Sequence, residues 1–122
     1  MSPLYRIVAA SCVAISLAAC SFQNRYEREA EKITRSVMAN DLRPVQDDIA
    51  PSIKITRVKI AEWSDELGAQ GKLLSVKEHT PCDPGWHCFD VKFEKRTYAE
   101  RLQLDDTGKI VSWSFHMATS TT

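Results

Sequence analysis

The hydrophobic pattern changes period once, at Gly71, and this change restricts the fold more than any other feature of the chain. Before Gly71 the apolar residues return at helical spacing. Tyr26, Ala30, Ile33 and Val37 form one stripe, with Glu27, Arg28, Glu31, Lys32 and Arg35 on the other faces. Glu31 and Arg35 stand four apart and can pair, which adds only a few tenths of a kcal/mol. Asn40 and Asp41 read as the stop of this helix. Leu42, Val45, Ile49 and Ile53 predict a short second helix, broken or kinked at Pro51. Thr56 is placed to cap a third, which carries Lys59, Ile60, Trp63 and Leu67 and ends at Gly68.

Beyond Gly71 the residues alternate. Leu74 and Val76 alternate with Ser75 and Lys77, and Phe89, Val91 and Phe93 with Asp90, Lys92 and Glu94. Tyr98, Leu102 and Leu104 share one parity, as do Val111, Trp113, Phe115 and Met117. Period-two patterns mark strands with one buried and one wet face. Asp105-Asp106-Thr107-Gly108 supplies the turn of a hairpin between the last two strands. A sheet with one apolar face needs cover, and the preceding helices are the cover at hand. The expected fold is therefore α+β, with N-terminal helices packed on a curled antiparallel meander of about four strands.

The N-terminus carries a different signal. One cation, Arg6, precedes an apolar stretch from Ile7 to Ala19 that is interrupted only by Ser11, Cys12 and Ser16. A membrane-spanning helix needs about 20 apolar residues, so this stretch suits the core of a cleaved signal peptide. It ends in Leu17-Ala18-Ala19-Cys20. Those four residues resemble the lipobox of bacterial lipoproteins, which implies cleavage after residue 19 and acylation of the Cys20 thiol. Three acyl chains would then hold the protein on a membrane, since two already anchor stably. Ser21 stands where an aspartate would resemble the inner-membrane retention signal, so the resemblance implies the outer membrane, facing the periplasm. Residues 20–24 are expected to be lipidated cysteine and tether, residues 25–118 one domain, and residues 119–122 a frayed tail.

Removal of residues 1–19 leaves 103 residues, enough for one hydrophobic core. The whole chain has 16 cationic and 16 acidic side chains, and loss of Arg6 leaves the mature part near a charge of −1. There is no basic run, which argues against nucleic acid as a partner. The expected partners are the membrane, through the anchor at Cys20, and an envelope protein or small apolar ligand.

Three segments resemble the small uncharacterised domains of the nuclear transport factor 2-like superfamily, which share a cystatin-like cone. They are Asn40-Asp41-Leu42 leading to Ala50-Pro51, Leu67 to Lys72 running into Ser75-Val76, and Leu102 to Ile110. The resemblance spans roughly residues 25–118 and implies a cone whose open end forms a pocket. Some members of that superfamily are enzymes, ketosteroid isomerase among them, whereas many only bind or dimerise. The small lipoprotein of the outer-membrane barrel-assembly complex also sets helices before a strand meander. This chain lacks its Gly-Met-Thr helix start.

Candidate chemistry is sparse. In an oxidising compartment Cys82 and Cys88 read as a disulfide across a tight loop containing Pro81, Pro84 and Gly85. His79, Cys82, His87 and Cys88 have the donor types of a tetrahedral zinc site. Against this, His87 and Cys88 are adjacent and point to opposite faces of a strand, so no metal or other cofactor is expected. Trp86 in that loop reads as a cap over its own hairpin, or as an interface anchor. Glu100 shares the parity of Tyr98 and Leu102. On a face lining the cone it would have a raised pKa and could serve as a general base. A bulge at Arg96-Thr97, or fraying, would instead leave it solvated, and that is the expectation. His116 and Asp90 are expected on wet faces. No serine or cysteine nucleophile motif, glycine-rich phosphate loop or HExxH pattern occurs. The expected function is a lipid-anchored binding or accessory module. The alternatives are a small isomerase-like or hydrolase-accessory enzyme and a structural subunit of an outer-membrane assembly complex.

Overall fold

A computed structural model describes residues 23–118. The signal peptide expected over residues 1–19, the cysteine at position 20 and the tail at 119–122 lie outside the described residues. Helix α1 spans Arg25–Met38, a 3-10 helical turn spans Arg43–Asp48, and helix α2 spans Arg57–Gly68. Four strands follow: β1 (Leu73–His79), β2 (His87–Phe93), β3 (Thr97–Leu104) and β4 (Ile110–Met117). They form one antiparallel sheet in sequential order, β1-β2-β3-β4, with α1 packed on α2 and against β1. The fold is α+β, as the change of period implies.

The helices begin where their caps stand. Asn24 accepts from the Glu27 backbone N–H at 2.8 Å, and the Glu27 carboxylate takes the Asn24 N–H at 3.0 Å, a reciprocal capping box. Asn24 is thus the cap of a helix whose first residue is Arg25, and Gln23 donates from its side chain to Glu31. Helix α1 ends with Asn40 at a positive φ of 54°, a conformation asparagine tolerates better than most residues. Thr56 caps α2 through the Lys59 N–H, as its position before the helix suggests.

The expected second helix forms only in part, as the 3-10 helix Arg43–Asp48, and does not reach Ile49 or Ile53. Pro44 opens only the short 3-10 turn, and Ile49 leaves it for an isolated parallel bridge to Ile110. The Ala50 N–H donates to the Ile110 carbonyl at 2.9 Å. A tertiary pairing with β4 thus outweighs a weak local helix signal, and Ile53–Thr56 runs on outside any helix or strand.

Two bulges change which residues face inward. The β1–β2 register shifts between Leu73 and Ser75, so Val76 is buried while Leu74 is 55% exposed. The β3–β4 register shifts between Gln103 and Leu104, which buries Ile110 in place of Val111. A bulge adds one residue to a strand and flips the parity beyond it. At the other end of β4, Met117 lies past the cover of the helices and is exposed.

The core is one cluster between helices and sheet. Tyr98, Phe89, Phe93, Ile33, Leu67 and Leu102 are its largest sealed side chains. Gly71 joins α2 to β1 at a φ of 87°, and a Cβ there would stand 2.7 Å from the Glu94 carboxylate that accepts the Lys72 N–H. Glycine is required at that corner for both reasons.

Candidate functional site: an aromatic cleft beside β4

Where Ile53–Thr56 diverges from β4, a cleft of about 710 Å³ opens between that segment, α2 and the end of the sheet. Its apolar walls are Trp63 from α2 and Trp113 and Phe115 from β4. Trp63 packs on Phe115 with ring centroids 5.5 Å apart, and Trp113 meets Phe115 edge-on at 5.7 Å. Lys54, Lys59 and His116 carry donors of the rim, where Glu66 is the acid of the lining and Glu62 lies 4.0 Å from Lys59. The cleft is an apolar surface bordered by cationic and hydrogen-bonding groups, the usual composition of a small-ligand or peptide site.

Glu100 lies behind this surface. It is fully buried, so the expectation of a solvated residue is overturned. The β3 strand continues unbroken from Thr97, and no bulge or fraying turns the side chain outward. Trp113 Nε1–H donates to one carboxyl oxygen at 3.0 Å. The other oxygen lies 2.9 Å from Thr34 Oγ1, which is also 2.7 Å from the Ala30 carbonyl. A hydroxyl has one hydrogen and can serve only one of these two acceptors. With Glu100 protonated every group is satisfied: the acid donates to Thr34, and Thr34 donates to Ala30. Burial pushes the Glu100 carboxyl up to about 8, against the downward pull of the Thr34 and Trp113 hydrogen bonds. At neutral pH the residue is mostly a neutral acid.

A general base must come within hydrogen-bond reach of its substrate. Glu100 does not line the cleft, and Trp113 stands between them. Its role is positional: it fixes the indole that forms the cleft wall. Sequence reasoning singled out Glu100 but missed both partners. Thr34 sits on the apolar stripe of α1, and a polar residue there could have signalled a buried acceptor. Nothing local marks the Trp113 indole as its donor.

The remaining candidates sit elsewhere. Cys82 and Cys88 form a disulfide with Cα atoms 5.8 Å apart, so neither sulfur is free as a thiolate ligand. His79 bonds Asp90 at 3.3 Å and His87 bonds Glu78 at 3.0 Å, while His87 also stacks on Tyr26. The four zinc-type donors are thus divided among separate partners. Among the described residues no group of three or more His, Cys, Asp or Glu side chains is arranged to hold a metal ion. Trp86 is half-buried under the Arg101 guanidinium, 4.3 Å from its ring centroid, and Arg101 also pairs with Asp83. That arrangement holds Trp86 and its loop against Arg101 of β3, the strand next to its own hairpin. His116 and Asp90 are exposed, as expected, and His116 falls on the cleft rim.

A second titratable cluster joins α1 to the 3-10 turn. Burial first, then the adjacent Asp48 carboxylate, raises Glu29 to about 7. Burial also pushes Asp48 up, but hydrogen bonds from Lys32 and Glu29 outweigh it and hold Asp48 low. Lys32 bonds Asp48 at 2.9 Å.

Comparison of the chain with protein-family models, with curated proteins and with solved structures finds no match.

Proposed function

We propose that this chain is a lipid-anchored periplasmic binding or accessory module of the cell envelope, held in the outer membrane through Cys20, with its ligand seated in the cleft beside β4. The observation that carries the binding reading is the cleft itself: Trp63, Trp113 and Phe115 present apolar surface beneath a rim bearing Lys54 and Lys59. Aromatic walls of this kind bind by burial, and the rim favours ligands with an anionic end. The anchor reading rests on Leu17-Ala18-Ala19-Cys20. Among the described residues no helix is long and apolar enough to cross a membrane. The sequential four-stranded sheet under N-terminal helices is the layout that a nuclear transport factor 2-like cone requires, and we assign the domain to that fold on the same footing.

The test of binding uses the mature chain with Cys20→Ser and the anionic aromatic probe ANS. Saturable quenching of tryptophan fluorescence is expected, and it should weaken when Lys54→Glu and Lys59→Glu reverse the rim charge. Absence of saturable binding, or binding indifferent to those two exposed positions, would remove the cleft as the site.

A further inference from the structure

The two edges of the sheet are finished differently. On β1, the outward Glu78 N–H is taken by the Glu27 carboxylate of α1 at 2.7 Å. On β4, the Ile110 carbonyl is taken by Ala50, after which the 53–56 segment turns away. The phase of the β3–β4 ladder tells which groups remain. Ala118 N–H donates to the Thr97 carbonyl at 3.1 Å. Hydrogen-bonded pairs alternate in an antiparallel ladder, so His116, Ser114 and Ser112 also direct their backbone groups to β3. Trp113, Phe115 and Met117 therefore direct theirs outward, along the cleft. No backbone partner meets them among the described residues.

Protected edges carry lysine, proline, inward charge or a bulge. Trp113-Ser114-Phe115-His116-Met117 contains no acid, lysine, arginine or proline, and its register with β3 is regular. An edge with three outward N–H and C=O pairs, running beside an aromatic groove, has the elements of strand addition: main-chain bonds for affinity and pockets for alternate side chains.

We propose that the β4 edge from Trp113 to Met117 docks an extended peptide segment of a partner protein, one with alternating apolar residues and at least one acidic residue, as a fifth strand. The acid answers the rim cation Lys54, which has no acid paired with it among the described residues, whereas Lys59 lies 4.0 Å from Glu62. A second copy of this chain suits the groove less well. Symmetric β4 pairing would bring these cations face to face and drive each 53–56 wall into the other. Five edge residues at about 3.4 Å each span about 17 Å, which suits a partner segment of about five to seven residues. The proposal names the ligand class of the cleft and so rests on the binding role assigned to it above.

The experiment is selection of a displayed random heptapeptide library on the immobilised mature chain carrying Cys20→Ser. Enriched peptides should alternate apolar residues, carry Asp or Glu, and as synthetic peptides perturb the amide resonances of Trp113, Phe115 and Met117. Met117→Pro deletes one outward donor at an exposed strand end and should weaken binding about tenfold, with Leu74→Ala, exposed on the opposite edge strand, within about twofold of the parent. N-methylation of alternate peptide amides gives the same reading without altering the protein: one frame abolishes binding and the other spares it. No enrichment, or binding blind to both Met117→Pro and the methylation frame, overturns the proposal. So does a dimer in sedimentation that Met117→Pro dissociates, because the edge then belongs to a second copy. If ANS binds the cleft and no peptide is enriched, strand addition fails and the binding role stands. If neither binds, both fail.

Discussion

Glu100 is an acid held where only its protonated form satisfies all its neighbours, so it links stability to pH. Its ordinary value is 4.5 and its folded value about 8. Between those values the unfolded chain ionises while the folded chain keeps its proton. The stabilisation is full below about pH 4.5 and falls as pH rises through about 8, at no more than about 1.4 kcal/mol per pH unit. Glu100→Gln keeps both hydrogen bonds, with its oxygen accepting from Trp113 and its amide donating to Thr34. The variant should lack this decline: melting temperatures near those of the parent at pH 5 and above them at pH 9. Parallel profiles for the two proteins would contradict the neutral-acid reading. Tyr98 poses the opposite case. It is fully buried between Trp63, Phe93 and Phe115, and its hydroxyl makes no hydrogen bond of ordinary geometry, although the Arg96 guanidinium lies beside it. Removing an unsatisfied buried group relieves a desolvation cost, so Tyr98→Phe should leave denaturant stability unchanged or raise it by about 1 kcal/mol. A loss larger than that would reveal a partner for the hydroxyl.

At the level of elements, the disulfide closes a loop between β1 and β2, two strands from β4. Replacing Cys82 and Cys88 together by serine should cost about 2 kcal/mol on the chain-entropy account, measured by urea unfolding, and leave ANS binding in place. Loss of binding would mean that the loop organises the cleft. This scale also shows what local patterning can convey. Both long helices and all four strands were legible, because their caps, periods and turn residues act within a few positions of each other. Positions that depend on a distant pairing were not. Ile49 left a helical pattern for Ile110, sixty-one residues on, and the two bulges exchanged Leu74 and Val111 for their neighbours. The cleft follows from those same events. It exists because the 53–56 segment, in neither helix nor strand, parts from β4, so its walls carry no signature of their own. Glu100 showed the correct parity, but its burial depended on how the helices lay over the sheet.

For the whole molecule, the proposed anchor at Cys20 would set where the cleft works. Gln23, the first described residue, stands three residues past Cys20 and donates to Glu31, so a lipidated Cys20 would keep it within about 11 Å of the anchored residue. Blocking the lipoprotein signal peptidase should accumulate uncleaved, acylated precursor by intact mass, and Cys20→Ser should release the protein into the soluble periplasmic fraction. Unchanged mass and unchanged fractionation would withdraw the anchor and the compartment with it. The central claim is narrower: the cleft between α2 and the β4 edge is where this domain binds. It is tested most directly by two-dimensional amide spectra of the isotope-labelled mature domain during titration with ANS. The expected shifts cluster at Ile53–Lys59, at the Trp63 and Trp113 indoles and along Trp113 to Met117, while Leu74 and Trp86 stay still. Shifts centred on Trp86 and its loop, or none at saturation, would contradict it.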